Sequence, residues 1–118
     1  MNSGSAQIAQ PAGIVIGDDL VDAQRRRIGR VEELMVDVIS GRVLFAVVSF
    51  AGVLGLCDRL FAIPWLAIEV QGPNNVLVLD GVTNLIDRMP GFDRHHWPDF
   101  SDPTFLAAVH GPFMATDC

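Results

Sequence analysis

The stretch that most constrains this chain is Val43-Leu44-Phe45-Ala46-Val47-Val48-Ser49-Phe50. Its β-branched and aromatic content favours a strand, and in a strand successive side chains point to opposite faces. Val43, Phe45 and Val47 then share one face, while Leu44, Ala46, Val48 and Phe50 share the other. Both faces are apolar, so the strand must either be central in the core or be covered by another element. The chain has 118 residues. A domain of that size hides roughly 65% of its unfolded surface, enough for one core.

Around this strand, short β-type runs alternate with turn signals, the pattern of a small barrel or sandwich. Ile14–Ile16 with Leu20–Val21 gives a strand pair or one bent strand, followed by Ile28–Val38. Leu60–Ile63 (closed by Pro64), Ala67–Val70 and Val76–Asp80 complete a set of about six strands. Within Ile28–Val38, Leu34, Val36 and Val38 share a face, but Val31 is out of phase with them. One extra residue at Glu32–Glu33 keeps both apolar sets inward, which predicts a β-bulge there. Ser40-Gly41 predicts a hairpin turn, and Gly72-Pro73-Asn74-Asn75 predicts another turn. Beyond Asp80 the pattern changes. Thr83–Met89 reads as a short helix, and Gly91–Ser101 as an irregular segment pinned by Phe92, Trp97 and Phe100. Asp102 as N-cap and Pro103 at the first helical position start a last helix, with Gly111-Pro112 as its stop. Phe105, Leu106 and Val109 form its apolar stripe. The organisation expected is an extended tail over 1–12, a β domain over 13–81 and a C-terminal extension over 82–118 with one or two short helices.

Half of the residues are hydrophobic, 19% are charged and the formal net charge is −6. Mean hydropathy is +0.36, which excludes a disordered chain. All eight basic residues are arginine, and the acidic balance argues against a nucleic-acid groove, which needs a basic face. Cys57 and Cys118 form no disulfide framework and read as reduced thiols of a cytoplasmic protein. Met1–Gly13 lacks the basic and apolar regions of a secretory signal. The longest uncharged apolar run, Val43–Cys57, has 15 residues, short of the roughly 20 a spanning helix needs. Membrane association is therefore not favoured.

Few residues suggest chemistry. Asp93-x-His95-His96-x-x-Asp99 is the richest ligand-like cluster. Adjacent histidines point apart in extended chain, however, and zinc wants three or four converging ligands. A polar loop around buried Phe92 and Trp97 explains it better, and no metal is expected. Arg25-Arg26-Arg27 is a candidate anion site on an acidic protein; its plainer reading is a solvated turn. Asp18, Asp19 and Asp22 lack the spacing of a calcium loop. Cys57 sits between opposing electrostatic influences, with Asp58 and Arg59 following it. No nucleophile elbow or acid–base constellation emerges, so no catalytic residue and no cofactor is expected.

Several segments, in order, resemble the PRC-barrel domain family. They are Gly29-Arg30-Val31-Glu32-Glu33-Leu34-Met35-Val36-Asp37, Ser40-Gly41-Arg42-Val43, Ala46-Val47-Val48-Ser49-Phe50, Gly52-Val53-Leu54-Gly55 and Asp58-Arg59-Leu60-Phe61-Ala62-Ile63-Pro64-Trp65. Met89-Pro90-Gly91-Phe92-Asp93 and Trp97-Pro98-Asp99 are similar to the extension of free-standing bacterial members, so the resemblance covers about Gly13 to Pro103. It implies a mainly β fold: a small, strongly bent antiparallel β-barrel with a short C-terminal helical extension. It implies interaction rather than catalysis. The family includes the cytoplasmic domain of the photosynthetic reaction-centre H subunit and the C-terminal domain of a ribosome-maturation factor. Arg25 stands where a turn glycine is common, Leu44 where a polar residue is usual, and Cys57 where glycine or charge is frequent.

The family pattern places Val43, Phe45 and Val47 inside the barrel. Leu44, Ala46, Val48 and Phe50 are then expected on its outer face, with Val53, Leu54 and Leu56 as an apolar loop tip nearby. Phe105, Leu106 and Val109 of the last helix, or a second subunit, would cover them. The function expected is a self-associating adaptor, with a dimer favoured, that docks a protein or small ligand. A peripheral-membrane or electron-transfer accessory is the second possibility, and a ribosome-assembly factor the third.

Overall fold

The computed structural model describes residues 9–50, 59–81 and 88–114. A single turn of helix, α1 (Ala12–Val15), precedes seven strands: β1 (Asp19–Val21), β2 (Arg27–Val36), β3 (Val43–Phe50), β4 (Arg59–Pro64), β5 (Glu69–Gln71), β6 (Val76–Val78) and β7 (Gly91–Asp93). A 3-10 turn at Trp65–Ala67 joins β4 to β5, and the helix α2 (Pro103–Met114) ends the described chain. The strands form one sheet in the order β5-β6-β1-β2-β3-β4-β7. The expected mainly β fold with a C-terminal helix is therefore present, as an open sheet.

Three expectations are corrected here. Ile14–Ile16 is not a strand: the Pro11 carbonyl accepts the Ile14 N–H at 2.9 Å and the segment turns as α1. The sheet is not wholly antiparallel, because β1 lies between its hairpin partner β2 and a parallel β6. Gly91–Asp93, expected to be irregular, forms the edge strand β7 beside β4. The extension after residue 81 thus contributes both to the sheet and to the layer above it. Most of the helix expected over Thr83–Met89 lies outside the described residues.

The bulge in β2 is present where it was expected. Val31 pairs with Val48 and Glu33 with Val47, leaving Glu32 as the extra residue. Val31 and Leu34 consequently meet the same core. A second irregularity falls between Met35 and Val36, which pair with Phe45 and Val43, so that Leu44 of β3 is the extra residue there. Val36 and Val38, expected to be inward, are exposed. The hairpin that follows closes as predicted. The Asp37 N–H donates to the Arg42 carbonyl at 2.8 Å, the Gly41 N–H donates to the Asp37 carbonyl at 2.7 Å, and Gly41 has φ +79°. That is a conformation in which glycine carries no Cβ penalty.

β3 is covered on both faces, as its composition requires, but its facing is the reverse of that expected. Ala46, Val48 and Phe50 join Leu20, Val31, Phe61, Ile63 and Leu77 in the larger core. Phe45 and Val47 face the other way, into a smaller core with Leu60, Ala62, Phe92 and Val109. Register explains the sorting: Ala46 and Val48 oppose Ile63 and Phe61 of β4, while Val47 opposes Ala62. Helix α2 covers this second layer. Asp102 caps it, its Oδ1 accepting the Thr104 N–H at 3.0 Å and its carbonyl the Leu106 N–H at 3.0 Å. The expected stop at Gly111-Pro112 does not end the helix, which runs to Met114. A proline here removes one amide–carbonyl bond from a final turn where the next carbonyls lack partners in any case.

Candidate docking cleft

The expected interface set separates into three groups. Ala46, Val48 and Phe50 are buried in the chain's own core and offer no surface. Phe105, Leu106 and Val109 do cover an apolar face, the one carrying Phe45 and Val47. Leu44 alone of its set on β3 reaches solvent, at 44% exposure. Val53, Leu54 and Leu56 lie outside the described residues, as do Cys57 and Cys118.

Exposed apolar side chains gather instead at the β2–β3 hairpin end. Val38 is 89% exposed and Ile39 95%, both in the turn between Asp37 and Arg42. The 3-10 turn after β4 lies at the same end, since Pro64 pairs with Phe45, and it presents Leu66 at 89% exposure. Turn residues are usually polar or glycine. A hairpin tip built on Val38-Ile39 is therefore a legible signal, one masked by reading Val38 as the continuation of an inward strand face.

Two clefts open beside this end. The larger, about 580 Å³, runs between the start of β3, the turn after β4 and helix α2. Leu44, Phe45, Trp65 and Leu66 line one part, Phe100 and Leu106 another, and Arg42 and His110 are its ionisable groups. The smaller, about 390 Å³, lies between the α1 segment and β5–β6, with Ile14, Leu34, Val70 and Leu77 in its wall. Val43 and Trp65 line both and so separate them. The larger cleft is floored by an aromatic cluster. Phe45 lies 5.7 Å from Phe100 and 5.5 Å from the His110 ring, and Phe100 lies 5.2 Å from Phe105. Such tilted pairs hold one another in place beyond their burial alone.

The polar candidates are drawn into turns. The guanidinium groups of Arg25–Arg27 each take a different partner. Arg25 donates to Gln71 Oε1 at 2.7 Å, Arg26 pairs with Asp22 at 3.0 Å and Arg27 with Asp19 at 2.8 Å. Each guanidinium of the candidate anion site thus has a contact of its own, in keeping with the plainer reading of a solvated turn. Arg25 also takes φ +67°, a left-handed position at which glycine would carry no Cβ penalty. In the Asp93–Asp99 segment, Asp93 Oδ1 accepts the His95 N–H at 2.7 Å and Asp99 Oδ1 the Ser101 N–H at 2.8 Å. Among the described residues, no group of three or more His, Cys, Asp or Glu is placed to hold a metal. The Trp97 indole donates to the Arg94 carbonyl at 2.8 Å while its ring lies 5.4 Å from Phe92. Arg94 reaches back toward Glu32, the bulge residue, at 3.7 Å, and Glu32 accepts the Ser49 hydroxyl at 2.6 Å.

Three turn carboxylates are held below the ordinary aspartate value of 3.8. At Asp37 the cause is first the Ile39 backbone N–H and then Ser40. At Asp93 it is first the His95 backbone N–H. At Asp22, burial pulls upward and is outweighed by the combined effect of the Arg26 and Gln24 N–H groups and the Arg26 charge. A carboxyl whose folded pKa is depressed stabilises the fold above its unfolded value, and that contribution disappears as pH falls through the folded value. The urea midpoint is therefore expected to drop between about pH 5 and about pH 3, and Asp37→Asn should shallow that drop. Identical acid limbs for the two proteins would show that Asp37 contributes nothing to it.

Among the described residues no helix is long and apolar enough to cross a membrane. Comparison with curated proteins yields no match. The family model of the PRC-barrel domain matches residues 14–85, more than half of the chain and all of the strands from β1 to β6. The chain belongs to the PRC-barrel domain family.

Proposed function

We propose that this PRC-barrel protein is a non-enzymatic, cytoplasmic interaction module that self-associates, as a dimer, and serves as a docking scaffold for a further protein or small ligand. The observation that carries this reading is the concentration of exposed apolar side chains at the hairpin end: Val38, Ile39, Leu44 and Leu66. Monomeric soluble proteins rarely leave such surface contiguous and wet. An isologous contact, in which the same patch meets its own copy, is the simplest way to cover it. Side chains from β1, β2, β3, β4 and β6 all meet in one core, as in a bent sheet wrapped around it. The absence of an acid–base constellation in the sequence supports a binding role over a catalytic one.

Light scattering on size-separated protein at about 10–100 µM tests this, a range in which a specific dimer of micromolar affinity is populated. The expected mass is that of a dimer. Leu44→Glu, and separately Ile39→Glu, should halve it with the circular dichroism spectrum unchanged, because both side chains are solvent-exposed in the single chain. A strict monomer, or a dimer indifferent to both substitutions, overturns the proposal.

A further inference from the structure

The larger cleft points to a ligand as well as to a surface. Its volume of about 580 Å³ falls within the roughly 300–1,000 Å³ of small-molecule sites, which pair apolar walls with a few placed polar groups. Here the walls are Leu44, Phe45, Trp65, Phe100 and Leu106, and the ionisable groups are Arg42 and His110. On a chain of net charge −6, no carboxylate among the described residues lines this cleft. Asp37 is near enough across the hairpin to feel the Arg42 charge, but its Oδ1 accepts from the Ile39 and Ser40 amides. Among the described residues the Arg42 guanidinium makes no hydrogen bond and no ion pair within 4.0 Å, so its five donors remain available although Asp37 attracts its charge. The His110 ring is held against Phe45 at 5.5 Å, at the same cleft.

We propose that this cleft binds a small amphipathic monocarboxylate, its apolar body against Phe45, Trp65 and Leu106 and its carboxylate on Arg42 with His110 beside it. A cation–carboxylate contact gives orientation, and the apolar walls give most of the affinity. The walls come from one chain, so the proposal goes beyond self-association and stands without it.

Sodium decanoate and 2-naphthoate are the probes, one with a flexible acyl body and one with an aromatic body. Each is titrated by calorimetry, and the oligomeric mass is measured on the same samples. At least one should bind saturably at one site per chain, and 1-decanol or 2-naphthol, lacking the charge, should bind about tenfold more weakly. Arg42→Gln should weaken the carboxylate about tenfold and leave the alcohol within about twofold. In Trp97→Phe protein Trp65 is the remaining indole, and its fluorescence should titrate with the same midpoint. Absence of saturation by both probes overturns the proposal, as does carboxylate affinity unmoved by Arg42→Gln or silence of Trp65. A monomeric mass with these binding results intact would overturn self-association and leave the ligand site standing.

Discussion

Gly29→Ala is expected to cost about 3 kcal/mol or more and to lower the urea midpoint by about 2 M, for a slope near 1.5 kcal/mol/M. A Cβ at Gly29 would meet the Ser49 carbonyl oxygen at 2.2 Å, its carbon at 3.2 Å and the Phe50 Cα at 3.3 Å. These are backbone atoms of the neighbouring strand, which cannot rotate away as a side chain can. Gly29 also pairs on its other side with Leu20, so β2 is held between β1 and β3 at this point. Relief of the clash would have to separate β2 from β3, the strands that carry both cores. Gly13→Ala is the control, since a Cβ there meets nothing within 4 Å; its midpoint should stay within about 0.3 M, as for most surface changes. Equal midpoints for the two variants would contradict the close approach of β2 to β3.

Much of the fold was legible because its signals are local. Glu32 and Glu33 interrupt an apolar alternation, and a one-residue slip in a strand flips every later side chain, so only a bulge reconciles the two halves. Ser40-Gly41 and Asp102-Pro103 name their turn and cap through backbone demands that tertiary packing does not alter. The facing of β3 was of another kind. Both of its faces are apolar, so composition could not say which one meets the larger core, and the choice rested on a family pattern. The answer lies in register with β4, a long-range fact: Phe61 and Ile63 fall opposite Val48 and Ala46. Edge strand β7 was hidden for a related reason. It has three residues with glycine at its start, too short for alternation to appear, and its pairing partner β4 is remote in sequence.

The site follows the same division. The apolar surplus was visible in the composition, but the helix stripe at Phe105, Leu106 and Val109, expected over the face of Leu44, Ala46, Val48 and Phe50, covers the opposite face with Phe45 and Val47. The remaining surface could not be located until the second irregularity of the β2–β3 pair, at Leu44 of β3, was known. Beyond it Val36 is exposed, and Val38 and Ile39 of the turn lie in solvent. The bulge at Glu32 keeps Val31 and Leu34 inside, and the one at Leu44 coincides with the half-exposed side chain of β3 at the hairpin end. Core and candidate docking surface thus lie along one strand pair that departs twice from regular pairing, once on each strand.

Phe45→Ala compared with Leu44→Ala tests this two-layer arrangement directly. Phe45 is 4% exposed and Leu44 is 44% exposed, although they are adjacent in β3. Truncating a buried phenylalanine removes its transfer free energy and leaves a cavity, a loss of about 3–5 kcal/mol. Phe45 also gives up its ring contacts with Phe100 and His110, so the loss should fall on the layer that docks α2. Leu44→Ala, at a half-exposed strand end, should cost about 1 kcal/mol or less. Had β3 faced the other way, with Leu44 and Ala46 outward as a set and Phe45 in the larger core, loss of Phe45 would loosen β1 and β6 and leave α2 in place. Amide hydrogen exchange separates the two cases. In Phe45→Ala protein, exchange should quicken first in Phe105–Val109 of α2, while Leu20 and Leu77, in the other core, keep most of their protection. Equal costs for the two truncations, or early loss of protection at Leu20, would mean that α2 does not rest on Phe45 and that the cleft beside it is not walled as described.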